Sequence, residues 1–130
     1  MAYTIMIVDD SETIRSMLTR TIGMTRLPVR SILQAQNGKD ALSLLENNWV
    51  DIIFSDINMP QMNGIELIDV MRGHPEYRDI PVVVVSTEGS STRIRELEEK
   101  GIKEYLRKPF TPENIRDVII NTLGGWHAGE

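Results

Sequence analysis

Apolar residues are spaced in two alternating ways along this chain. Short runs of adjacent β-prone residues are each followed by a stretch in which apolar side chains recur every three or four positions. The first kind predicts buried strands and the second amphipathic helices. Tyr3 to Val8 is the first strand, ended by Asp9-Asp10. Ser11 is suited to cap the helix that follows, whose stripe is Ile14, Met17, Leu18 and Thr21/Ile22. Gly23 reads as its stop, and Met24 to Pro28 as a loop. Val29 to Ala35 is the second strand. Asn37-Gly38 then makes a turn and cap before a helix with Ala41, Leu42, Leu44 and Leu45, ended by Asn47-Asn48.

Ile52, Ile53 and Phe54 form a third strand with the near-continuous apolar look of one buried on both faces. Asp56 stands at its carboxyl end. Pro60 and Asn63-Gly64 break the strand. Asn63 and Glu66 have capping-box spacing at the head of a helix with Ile65, Leu67, Ile68 and Met71, which ends near Gly73-His74-Pro75. Pro81 to Ser86 is the fourth strand. Its four consecutive valines, Val82 to Val85, suit a central parallel strand. The polar loop Thr87 to Ser91 leads to a weaker helix with Ile94 and Leu97, stopped by Gly101. Glu104 to Arg107 is a short last strand. Thr111-Pro112-Glu113 starts the last helix, with a cap, a first-turn proline and an acid. Ile115, Val118, Ile119 and Leu123 are its buried side, and Gly124-Gly125 its end.

Strand and helix thus alternate through five units with short connections. This predicts an α/β fold of three layers, a five-stranded parallel sheet doubly wound with helices on both faces. Residues 1–125 read as one domain and 126–130 as a tail. The 130 residues, 41% hydrophobic and 25% charged, suit a single core. No apolar stretch has transmembrane length and no signal peptide is evident, so no membrane association and a cytoplasmic location are expected. The absence of cysteine excludes disulfides, thiolate metal sites and cysteine nucleophiles. The net charge of −5 argues against a nucleic-acid surface and is compatible with an acidic cluster that holds a cation. His74 and His127 have no partner at ligand spacing.

In open α/β sheets, ligands bind beyond the carboxyl ends of the strands. That edge would gather Asp9 and Asp10, Asp56, Ser86 and Lys108 if the strands bearing them are neighbours. Three carboxylates that close repel one another, and a hard divalent cation offsets the repulsion. Mg²⁺ fits, with Mn²⁺ as a substitute, because it needs few protein ligands and leaves positions for phosphate oxygens and water. Such a site suits phosphoryl transfer to a carboxylate nucleophile, with metal, ammonium and hydroxyl stabilising the transferred group.

A lone Asp-Asp or Lys-Pro is ordinary surface decoration. Asp9-Asp10 after a first strand, Asp56 ahead of Ile57-Asn58-Met59-Pro60-Gln61-Met62-Asn63-Gly64, Ser86, and Lys108-Pro109-Phe110 form, in that order, a specific set. Over roughly Thr4 to Leu123 the chain resembles the receiver domain of bacterial two-component response regulators, and is nearest in character to the single-domain, CheY-like chemotaxis regulators. The resemblance implies the flavodoxin-like strand order 2-1-3-4-5, of which CheY is a known example. It implies a signalling protein, not an enzyme acting on other substrates. Asp56 would be the phosphoacceptor. Asp10, Asp56 and the backbone carbonyl of Asn58 would ligate Mg²⁺, with Asp9 helping through water. Lys108 would pair with Asp56 and then with the phosphate, Ser86 would bond a phosphate oxygen, and Tyr105 would swing inward as Ser86 moves. The Lys108–Pro109 bond would be cis. The implied partners are a sensor histidine kinase or a histidine phosphotransfer protein, and a downstream protein met by the fourth helix, fifth strand and fifth helix. The chain would be a monomer working in chemotaxis or motility.

Thr87 departs from the alanine or glycine usual in this family and would narrow access to Asp56. Asn58 and Glu88 hold the positions that tune phosphate lifetime, and their polarity implies a labile phosphate. Other readings are an intermediate in a phosphorelay or a phosphorylation-independent adaptor. A haloacid-dehalogenase-type phosphatase needs an acid where Asn58 stands. A flavodoxin-type carrier needs a loop rich in Ser, Thr and Gly where Asp9-Asp10-Ser11-Glu12 stands.

Overall fold

The computed structural model describes residues 2–87 and 90–123, except for the side chain of Ser91. The strands are β1 (Tyr3–Val8), β2 (Val29–Ala35), β3 (Ile52–Ser55), β4 (Val82–Ser86) and β5 (Glu104–Arg107). The helices are α1 (Glu12–Met24), α2 (Gly38–Asn47), α3 (Gly64–Arg72), α4 (Ser91–Glu99) and α5 (Pro112–Leu123). All strand pairs are parallel, in the order β2-β1-β3-β4-β5. The expected doubly wound fold is therefore present.

Alternate residues of each strand point to opposite sheet faces, and this divides the core in two. Met6, Val8, Ile53, Val82 and Val84 pack with Ala41, Leu45, Leu67, Ile68, Met71 and Leu97, placing α2, α3 and α4 on one face. Ile5, Ile7, Ile52, Phe54, Val83 and Val85 pack with Leu18, Ile22, Ile115 and Ile119, placing α1 and α5 on the other. Of the three interior strands, β3 and β4 are buried at every residue and β1 at every residue but Tyr3. The edge strand β2 exposes Arg30, Ser31 and Gln34 to solvent.

Local chemistry sets the element boundaries. Ser11, Asn37, Asn63 and Ser90 each accept a backbone N–H in the first turn of the helix they cap. Asn63 and Glu66 form the full reciprocal capping box. Gly101, at φ +98°, ends the turn after α4. Pro81 lies outside β4 and Ser91 inside α4, each one residue from the sequence expectation, and a larger difference is at α1, which runs through Gly23. The stop is made by Thr25, whose hydroxyl and N–H both donate to the Ile22 carbonyl, and by Arg26 at φ 62°. A side-chain hydroxyl satisfies the carbonyl that a glycine turn would otherwise have met. Gly124-Gly125 and the tail lie outside the described residues.

Candidate functional site

Because the strands are parallel, their carboxyl ends share one edge, and the loops leaving them meet there. Backbone pairing fixes the heights. The Asp56 N–H donates to the Val8 carbonyl at 2.9 Å, and the Lys108 N–H donates to the Ser86 carbonyl at 2.9 Å. The Asp9 N–H donates to Ala35 at 3.0 Å. Asp9, Asp56, Ser86 and Lys108 are thus held one step past, or at the end of, paired strand residues rather than on free loops.

Carboxylate oxygens of Asp9, Asp10 and Asp56 all lie within 4.8 Å of one another. Asp9 is buried, Asp10 exposed and Asp56 half-buried. The Asp9 Oδ1 accepts the Ser11 N–H at 2.9 Å, and the Asp56 Oδ1 accepts the Ile57 N–H at 2.8 Å. Lys108 Nζ reaches in from the last strand, 3.4 Å from Asp9 Oδ2 and 4.0 Å from Asp56 Oδ2. The ammonium therefore bridges two acids, and its nearer partner is Asp9. Burial pushes the Asp56 carboxyl above its ordinary 3.8. The Ile57 N–H and the Lys108 ammonium pull it back, while the Asp9 and Asp10 charges push it further up.

The donor set fits a hard divalent ion. Three carboxylates and one ammonium leave a formal charge of −2 at the site, which one such ion balances. Hard oxygen donors from three residues this close suit such an ion, which would draw them closer together. The carbonyl proposed to complete the set belongs to Asn58, whose side chain is exposed.

Ser86 is buried, and Tyr105 is partly buried against the α2-α3-α4 side of the core. Thr87 is exposed at the mouth of the site, and Glu88 lies outside the described residues. The Lys108–Pro109 bond is cis. Arg15 escaped sequence reasoning, as did the close packing at Gly64 and Gly38, which the sequence shows only as turn residues. Arg15 donates to the Asp9 carbonyl at 2.7 Å and to Gln34 at 3.1 Å, bracing the β1–α1 loop from one turn into the helix. Its spacing from Asp9 was the available signal. Gly64 lies so close to the Asp56 carbonyl that a Cβ would collide with it. Gly38 is similarly packed under the Met62 side chain, 2.6 Å from where a Cβ would stand.

The comparisons agree with this geometry. The response regulator receiver domain family matches residues 5–120. A "Chemotaxis protein CheY homolog" of Campylobacter jejuni is 36% identical over 121 residues, 92% of each chain. "Chemotaxis protein CheY1" of Helicobacter pylori is 31% identical, covering 92% of this chain and 96% of its own. The solved structure of the chemotaxis response regulator CheY4 of Vibrio cholerae superposes with a TM-score of 0.83 at 30% identity, over 95% of this chain and 100% of that one. The chain belongs to the response regulator receiver domain family, and within it to the CheY-like receivers of two-component signalling. Among the described residues no helix is long and apolar enough to cross a membrane.

Proposed function

We propose that the protein accepts a phosphoryl group on Asp56 and, in that state, changes its affinity for a downstream protein. The observation that carries this is the gathering of Asp9, Asp10 and Asp56 within 4.8 Å under the Lys108 ammonium. The donor would be a phosphohistidine of a sensor kinase or of a histidine phosphotransfer protein. Its P–N bond breaks with the electron pair left on nitrogen, and an Asp56 oxygen forms the new O–P bond. Asp10, Asp56 and the Asn58 carbonyl would hold Mg²⁺, with Asp9 acting through water. That ion would supply positive charge to the phosphoryl oxygens.

The Ile57 N–H orients the Asp56 carboxyl before transfer. Lys108 exchanges part of its hold on Asp9 for a phosphoryl oxygen. The Ser86 hydroxyl donates to another, and the vacated space lets Tyr105 turn inward. These contacts exist only with the phosphate present, so the phosphate shifts an equilibrium between two states. Exposed Asn58 and Thr87, with Glu88, set the approach of donors and of hydrolytic water. Similarity to the chemotaxis relatives supports a role in chemotaxis or motility, with the signal passed by docking to a downstream protein.

Pull-down with and without beryllofluoride, an acyl-phosphate mimic, tests the switch. A partner retained only with beryllofluoride is expected. An identical set of retained proteins under both conditions contradicts it.

A further inference from the structure

The opposite, amino-terminal edge of the sheet carries a second feature. Trp49, between α2 and β3, is 76% exposed. It is nonetheless fixed: its indole N–H donates to Asp51 Oδ1 at 2.9 Å, and Asp51 Oδ2 accepts the Thr4 N–H at 2.8 Å. The ring is anchored through one carboxylate to the backbone of β1. Beside it lies a groove of about 540 Å³ with an apolar floor of Leu45, Val50, Tyr77 and Ile80. Tyr77 is stacked on His74 with ring centroids 4.0 Å apart, a contact that orients this part of the floor.

The charged side chains lining the groove and its adjoining hollow are acidic, with the Arg72 guanidinium behind them, near Asp79 and on the Ile80 carbonyl. Glu46 and Glu76 line the groove. Asp51 and Asp79 line an adjoining hollow of about 200 Å³ that shares Trp49. Among the described residues no lysine or arginine lines either. A preset indole face, carboxylates at the rim and an apolar floor together suit a cation carried next to an apolar side chain. A second copy of this chain is disfavoured, because it brings a net charge of −5 to an acidic rim.

We propose that this groove docks a basic, apolar segment of a partner protein, with an arginine or lysine on the Trp49 face and an adjacent aliphatic residue on the Tyr77–Ile80 floor. Asp56 lies at the other end of β3, four residues long at about 3.3 Å each. Docking here leaves the acidic site open and does not depend on its phosphorylation. The proposal is independent of the phosphoacceptor reading.

The test is an NMR titration of the ¹⁵N-labelled protein with the peptide acetyl-Leu-Arg-Leu-Arg-Leu-amide and with its Glu-for-Arg counterpart. The chain has two tryptophans, so the Trp49 indole signal is assigned with Trp126→Phe. The basic peptide is expected to move the Trp49 indole and the Tyr77 and Ile80 amides saturably, and equally with beryllofluoride present. Trp49→Ala should weaken binding about fivefold, and Glu46→Gln with Glu76→Gln should weaken it comparably. All three positions are exposed, so folding is retained. Equal binding of the acidic peptide, shifts scattered over the acidic surface and unchanged in Trp49→Ala, or concentration-dependent self-association abolished by Trp49→Ala would each overturn the proposal.

Discussion

Lys108 Nζ hydrogen-bonds Asp9 Oδ2 at 3.4 Å and stands 4.0 Å from Asp56 Oδ2. Asp9 is the most buried of the three acids, its side chain 2% exposed, so the ammonium sits where an unpaired charge would be costliest. Lys108→Met removes that cation. The metal-free variant should be destabilised by about 3 kcal/mol in urea denaturation, because the buried carboxylate loses its partner. Millimolar Mg²⁺ should restore a larger share of stability to the variant than it adds to the wild type. Equal Mg²⁺ stabilisation of the two proteins would argue against a shared electrostatic site.

Asp56 gives a pH-dependent prediction. Its folded-state value is raised, chiefly by burial, so the native state keeps this proton to higher pH than the unfolded chain does. The group therefore favours folding most fully below its ordinary 3.8, and this contribution is lost as pH rises through the raised value. Asp56→Asn has no such titration. With EDTA present, the variant's melting temperature should exceed that of wild type near neutrality by about 2–5 °C. The gap should narrow as pH falls toward the ordinary carboxylate value. A gap that stays constant with pH contradicts the assignment of the cost to ionised Asp56.

Two glycines should respond to alanine with opposite signs. At Gly64 a Cβ would meet the Asp56 carbonyl and come within 3.0 Å of the Ile57 Cα, both backbone atoms with no room to yield. Gly64→Ala should cost about 2–3 kcal/mol and slow phosphorylation by displacing the acceptor loop. At Gly23, inside α1, nothing lies within 4 Å of the Cβ position. Gly23→Ala should stabilise by about 0.5–1 kcal/mol. Chemical denaturation of the pair reads both signs.

Thr87 is exposed directly after β4. Thr87→Ala should speed labelling by acetyl phosphate severalfold while leaving stability nearly unchanged, as measured by phosphate-affinity gel electrophoresis. Equal initial rates contradict a gating role for the threonine methyl group.

The fold was legible because apolar periodicity and capping chemistry are local. Val82 to Val85 announced an interior strand, and Asn63 with Glu66 announced a helix start within a few residues. Gly23 misled because the stop depended on a hydroxyl two positions on. The site was legible as strand-end residues, but which strands are neighbours came only from resemblance. The closer pairing of Lys108 with Asp9 was hidden for the same reason, since it depends on distances across strands 99 residues apart in sequence. Arg72 escaped similarly: its guanidinium spans the Arg78, Ile80 and Gly101 carbonyls, a clamp that only tertiary structure assembles.

The central claim is that Asp56 is transiently phosphorylated in a metal-dependent reaction. Intact-mass spectrometry after incubation with a phosphorylated histidine kinase tests it most directly. One added phosphoryl group is expected on the wild type with Mg²⁺, removable by hydroxylamine, and none on Asp56→Asn or with EDTA. A phosphoryl mass that persists in Asp56→Asn, or its absence from the wild type with Mg²⁺ and a kinase that labels other receivers, would contradict it.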